Sequence, residues 1–168
     1  MSDELLTAAR RIRLLSFDVD GVLTDGRIIY SDDGREIKAF NVQDGAAIKM
    51  LAAEGIEIAI LTGRDSPMVA RRASELGIRH LQQGLEDKGP AFRALCEQLQ
   101  IPLEETAHVG DDLADLVLFE LAGFSISVPN GHPAVIERAD HTTEAQGGEG
   151  VARELAELIL RARGNWPY

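Results

Sequence analysis

The stretch Leu14-Leu15-Ser16-Phe17-Asp18-Val19-Asp20-Gly21 constrains this chain more than any other. Its first residues form an apolar run of the kind found in a strand covered on both faces. The run ends in two aspartates two residues apart, followed by a glycine. Alternate residues of a strand share a face, so an extended backbone through Asp20 points both carboxylates to one side. Open parallel sheets bind their ligands outside that C-terminal end of the strands. Carboxylates held close together repel. Such a site invites a cation, a proton, or a division of labour between nucleophile and acid/base.

Further apolar runs repeat the pattern. Residues 2–12 suit a short amphipathic helix, and residues 13–19 the first strand. Arg27–Tyr30 and Glu36–Asn41 flank an Asp-Gly turn signal and predict a β-hairpin at about 26–41. Asp44 is placed to cap a helix over 45–54 that Gly55 ends. Strands are expected at Ile56–Leu61, Ile78–Gln82, Thr106–Val109 and Phe124–Val128, with a short one near 140–142. Helices are expected from Asp65 or Ser66 to Leu76, over Lys88–Leu99, and near 112–121, 133–138 and 151–163. Gly147-Gly148-Glu149-Gly150 reads as a flexible link to the last helix. This alternation predicts an α/β fold: a three-layer, Rossmann-like parallel sheet, with a hairpin inserted after the first strand. No linker divides residues 1–168, so one domain is expected.

The other strand ends also carry polar groups. They supply Thr62, Gly63 and Arg64, then Lys88 at the head of a helix, then Asp111 and Asp112 with Asp115 a turn later. On one rim, these carboxylates make an oxygen-rich pocket suited to a hard cation, most plausibly Mg²⁺. Acids outnumber bases 28 to 17, for a formal net charge of -11. That balance argues against nucleic acid as a partner. No apolar run approaches membrane-spanning length. The one cysteine, Cys96, forms no internal disulfide, and the cytoplasm is the expected compartment.

Asp18-Val19-Asp20-Gly21-Val22-Leu23-Thr24, Thr62-Gly63-Arg64, Lys88, and Gly110-Asp111-Asp112 with Asp115 resemble the successive motifs of the haloacid dehalogenase-like superfamily. The resemblance implies a phosphatase in which Asp18 is the nucleophile and Asp20 the acid/base. It implies Mg²⁺ held by Asp18, Asp111 and the main-chain carbonyl of Asp20. Thr62 and Lys88 would bind the transferring phosphoryl group, and Asp112 and Asp115 would support the metal or Lys88. Members with a cap domain carry it after the first or second motif. Neither interval here has room for one, so the resemblance implies a capless enzyme covered by a neighbouring subunit.

The hairpin with Lys38-Ala39-Phe40-Asn41-Val42-Gln43-Asp44-Gly45, His80-Leu81-Gln82-Gln83-Gly84 and Gly147–Glu154 narrow the resemblance to the 3-deoxy-D-manno-octulosonate 8-phosphate phosphatases. This family implies a homotetramer built around the hairpins, a phosphorylated sugar-acid substrate, and a role in lipopolysaccharide inner-core synthesis. Arg64, Gly63, Asp44 and Gly45 become candidates for substrate contact, Gly45 through close backbone approach. Gln43 departs from the arginine common there; if that arginine holds the substrate carboxylate, Arg64 or another subunit must do more. Two alternatives stay open at this point: a phosphatase for another sugar-acid phosphate, such as an acylneuraminate 9-phosphate, and a non-catalytic oligomerisation module. Asp112 reads equally as a helix cap. His80, His108, His132 and His141 read as structural and Cys96 as core. Trp166 and Tyr168 read as a frayed tail or one tucked into a neighbour.

Overall fold

The computed structural model describes residues 3–168. Ser2, in the expected 2–12 helix, lies outside the described residues. The rest of that helix is α1, Asp3–Arg11. β1 (Leu14–Phe17) lies inside a six-stranded parallel sheet with β4 (Glu57–Leu61), β5 (His80–Gln82), β6 (Thr106–Val109), β7 (Phe124–Ser127) and β8 (His141–Thr142). Their spatial order is β5-β4-β1-β6-β7-β8. β2 (Ile29–Tyr30) and β3 (Glu36–Ile37) pair antiparallel as a separate hairpin. Among the described residues there is no cap domain, as expected.

Side-chain alternation sorts the core into two layers. Leu15 and Phe17 of β1, Ile58 and Ile60 of β4, and Ala107 and Val109 of β6 share one cluster. It continues into α2 (Val42–Ala53), α3 (Pro67–Leu76) and α7 (Val151–Arg163). Leu14, Ala59 and Leu61 face the other way, onto Phe92, Leu95 and Cys96 of α4 (Lys88–Leu99) and Leu118 of α5 (Leu116–Phe119). Full burial of each large aliphatic or aromatic side chain contributes roughly 2 kcal/mol. Cys96 is thus a core residue. α6 is Pro133–Arg138.

Three local differences from expectation have clear causes. β1 ends at Phe17, because the amides of Val22, Leu23 and Thr24 all turn back onto the Val19 carbonyl. Extended geometry therefore does not persist to Asp20. The cap of α2 is Asn41, whose side chain accepts from Gln43 N at 2.8 Å, so the helix starts before Asp44. Asp44 instead accepts from Arg153 N at 3.0 Å, capping α7, whose own N-cap is Gly150 and brings no side chain.

The glycine segment before α7 is not a flexible link. Gly147 N donates to Asn130 Oδ1 at 2.7 Å, and Gly148 N to the Val22 carbonyl at 2.9 Å. A Cβ on Gly147 would stand 1.9 Å from the Gly21 carbonyl oxygen. The strap lies directly against the loop that follows Asp20. In the tail, Trp166 packs on α7 of its own chain while Tyr168 stays exposed. The Trp166 ring lies 5.3 Å from the guanidinium carbons of both Arg153 and Arg161, and Tyr168 meets it edge-on. No helix among the described residues is long and apolar enough to cross a membrane.

Candidate active site

Asp18 leaves the end of β1 beside β6, its amide donating to the Val109 carbonyl at 2.9 Å. Lys88 opens α4, where a cation is normally slightly unfavourable. Its side chain crosses into the carboxylates, with Nζ 2.9 Å from Asp18 Oδ1 and 2.6 Å from Asp115 Oδ1. Asp115 is fully engaged. Its Oδ1 also meets His108 Nε2 at 3.0 Å, and its Oδ2 accepts from the amides of Asp111 and Asp112 at 3.0 and 3.2 Å. Behind it, Ser16 Oγ lies 2.9 Å from His108 Nδ1, the two residues being paired in register across β1 and β6.

Charge crowding governs this cluster. Burial works against the Asp115 carboxylate, but His108 and Lys88 override it and hold its pKa well below the ordinary range. Burial opposes the Lys88 ammonium too, yet Asp18 and Asp115 hold it protonated above its usual value. One lysine cannot neutralise three carboxylates. Burial therefore raises Asp18, with Lys88 only partly offsetting it. Burial and the charges of Asp18, Asp115 and Asp112 push Asp111 up to about 7.

The donor set fits a hard divalent cation. Carboxylate oxygens of Asp18, Asp111 and Asp115 lie within 4.8 Å of one another. Asp115 is committed to its hydrogen bonds, whereas Asp111 Oδ1 is buried without a hydrogen-bond partner and Asp18 Oδ1 meets only the Lys88 ammonium. Gly21 makes room for this: its φ is +97°, and a Cβ there would lie 2.1 Å from Asp111 Oδ2.

Asp20 has different neighbours. Its carboxylate pairs with the Lys38 ammonium and, at 3.6 Å, with Arg64 Nε. Glu36 Oε1 closes the ring, 3.1 Å from both Lys38 Nζ and Arg64 Nη2. Thr62 and Gly63 lie where β4 ends, Thr62 being buried. The amide of Thr62 donates to Gln82 and its carbonyl accepts from Leu85, which pins this loop to the one after β5. Glu36 also lines an open cleft of about 850 Å³, shared with Ser31, Arg35, Ser66 and Met68.

The structure thus brings together Asp18, Lys88, Asp111 and Asp115, with Asp20 and Arg64 in the adjoining ring. Asp44, on α2, is buried against the start of α7 and stands outside the carboxylate cluster. The close approach at Gly45 is made by Arg72, whose Nη2 lies 2.3 Å from where a Cβ would be. Asp112 is a helix cap, its side chain accepting from Leu113 N while Asp115 accepts from its amide. His80, His132 and His141 serve structure: His80 on Glu57, His132 as the cap of α6, His141 stacked on Phe124. His108 is buried one hydrogen bond from Asp115, which pairs with Lys88. Lys38 was not foreseen.

A parallel α/β sheet with an aspartate, a buried lysine and a carboxylate pair at its C-terminal rim defines a haloacid dehalogenase-like hydrolase. The family model described as haloacid dehalogenase-like hydrolase matches residues 82–155. The 3-deoxy-D-manno-octulosonate 8-phosphate phosphatase KdsC of Salmonella typhi is 47% identical over 98% of this chain and 87% of its own. The Moraxella catarrhalis 3-deoxy-D-manno-octulosonate 8-phosphate phosphatase was solved with magnesium ion, phosphate ion and a KDO molecule. It superposes with a TM-score of 0.95 at 48% identity, over 98% of this chain and 95% of that one. The Yersinia pestis phosphatase of the same name gives 0.96 at 42% identity, covering 98% and 89%. The chain belongs to the 3-deoxy-D-manno-octulosonate 8-phosphate phosphatase family.

Proposed function

We propose that this chain is a magnesium-dependent phosphomonoesterase that hydrolyses 3-deoxy-D-manno-octulosonate 8-phosphate to the free sugar acid and phosphate. This places it in lipopolysaccharide inner-core synthesis. One observation carries the reading: a buried Asp18–Lys88 pair beside the unpartnered Oδ1 of Asp111, in a chain nearly half identical to such phosphatases throughout.

The chemistry follows from these positions. An Asp18 carboxylate oxygen attacks phosphorus and forms an aspartyl-phosphate as the sugar oxygen leaves. Asp20 gives that oxygen its proton. The resulting carboxylate then takes a proton from water, which attacks the aspartyl-phosphate, releasing phosphate and restoring Asp18. Lys88 and Thr62 bind the equatorial phosphoryl oxygens, and Asp115, braced by His108 and two amides, keeps Lys88 in place. Mg²⁺, held by Asp18, Asp111 and the Asp20 carbonyl, supplies the positive charge that lets two anions meet. Arg64, paired with Glu36 beside Asp20, is placed to meet the carboxylate of the sugar.

The working form is a cytoplasmic homotetramer of single-domain subunits assembled through the hairpins. Ile28, Ile29, Tyr30 and Ile37 support this, standing 48, 43, 65 and 48% exposed on a two-stranded ribbon with no sheet to cover it. A panel of sugar phosphates, assayed for phosphate release with and without Mg²⁺, tests the function. Strong preference for the octulosonate ester is expected. Equal turnover of the other sugar phosphates would refute the substrate, and turnover without Mg²⁺ would refute the metal.

A further inference from the structure

Asp18 and Asp20 pose a chemical conflict. Both stand near a site fit for a hard cation, and a free carboxylate within reach of such an ion binds it. A carboxylate whose oxygens ligate a metal is turned toward that metal, so it cannot also face the leaving alkoxide as an acid/base must. The nucleophile tolerates metal ligation; the acid/base does not.

The structure separates the two. The cluster whose donor atoms converge within 4.8 Å contains Asp18, Asp111 and Asp115, and not Asp20. The turn after Phe17 begins this separation, and the charge ring completes it. Lys38 is the strong member. Its side chain is 1% exposed, and its ammonium meets both Asp20 and Glu36. Arg64 is 40% exposed and lies 3.6 Å from Asp20, a weaker hold. A lysine this deeply buried is costly unless paired. Its ion pairs are with Asp20 and Glu36, and none is made to Asp18. Lys38 directly follows β3, so the base of the hairpin fixes where its ammonium stands.

We propose that Lys38 is a positioning residue whose ammonium, braced by Glu36, holds the Asp20 carboxylate out of the coordination sphere of the divalent cation. The inference rests on the metal reading above. It makes a prediction with an unusual sign: loss of Lys38 strengthens metal binding while weakening catalysis.

Isothermal titration of Mg²⁺ into the metal-free, full-length protein tests this, alongside kcat and KM at saturating Mg²⁺. Lys38→Met is expected to bind Mg²⁺ roughly tenfold tighter, the scale of one more anionic ligand. Its kcat falls on the order of a hundredfold, the scale of general acid–base assistance. KM changes little, since Thr62 and Lys88 are untouched. Lys38→Arg restores both quantities toward those of the unaltered chain, a rescue that simple damage to the fold does not produce. The paired variant Glu36→Gln with Lys38→Met removes one charge of each sign and guards against misfolding; it too is expected to bind Mg²⁺ tighter. Unchanged or weaker Mg²⁺ binding in these folded variants overturns the proposal alone. Absence of Mg²⁺ binding by the unaltered chain overturns it together with the metal reading.

Discussion

Replacing Asp111 by asparagine should stabilise the metal-free protein while abolishing its response to magnesium. Burial and neighbouring carboxylates push Asp111 from an ordinary 3.8 up to about 7. A raised acid pKa means that the folded state binds the proton more tightly than the unfolded state. Stability therefore falls as pH rises from about 4 to about 7, and the penalty is complete above that. The full shift corresponds to a ceiling of about 4 kcal/mol at pH 8. Asp111 keeps some contact with water, so about 2 kcal/mol is the working figure. In a chain of this size that raises the melting temperature of Asp111→Asn in chelator by about 4–8 °C. At pH 5 only about a third of the gain survives, because the native carboxyl is already protonated there. With Mg²⁺ at a hundred times its dissociation constant, the unaltered protein gains about 2.7 kcal/mol and the variant nothing, so the ranking inverts. Differential scanning calorimetry at pH 5 and pH 8, with chelator and with Mg²⁺, measures all of this. An Asp111→Asn protein that melts below the unaltered one in chelator at pH 8, or that keeps its Mg²⁺ shift, would refute the crowding argument.

Asp18→Asn should release no phosphate and yield no acid-stable phosphoenzyme after quenching, while melting normally; residual turnover near that of the unaltered chain would exclude the covalent route. Gly147→Ala forces a methyl group onto the Gly21 carbonyl, main chain against main chain, and should cost about 3 kcal/mol in urea unfolding. Its activity should fall further than stability explains, because the displaced loop carries the turn after Asp20. Ile29→Glu combined with Ile37→Glu charges the exposed hairpin face. Light scattering should then report monomers, and an unchanged assembly would show that the subunits meet elsewhere.

The layered sheet was legible because each strand is a short aliphatic run with glycine or charge at its end, and such runs alternate with helical periodicity. What failed was local wording with two meanings. Asn41 and Asp44 are both good capping residues, and nothing in the sequence says that α7 would claim Asp44. Gly147–Gly150 has the composition of a flexible link. Glycine also marks close approach of two backbones, and which of the two applies depends on the Gly21 loop far earlier in the chain. The hairpin strands are shorter than their apolar run because no sheet extends them, and because Lys38 and Asn41 turn to partners elsewhere.

The site was legible where its chemistry is written as a local motif, and silent where it depends on topology. Asp18, Lys88 and Asp111 sit at strand ends or helix starts, positions a reader can locate in advance. His108 reads as an ordinary strand residue until the register across β1 and β6 sets it opposite Ser16 and under Asp115. Lys38 stands in a segment that carries the family resemblance, but nothing there says that its side chain reaches Asp20. Yet it bears on the interval that defines the family's chemistry. Two aspartates two residues apart suggest two equivalent ligands, and the chain must make them unequal. The turn after Phe17 gives them different directions. The charge ring from the hairpin then gives Asp20 cationic partners of its own, apart from the carboxylate cluster of Asp18, Asp111 and Asp115.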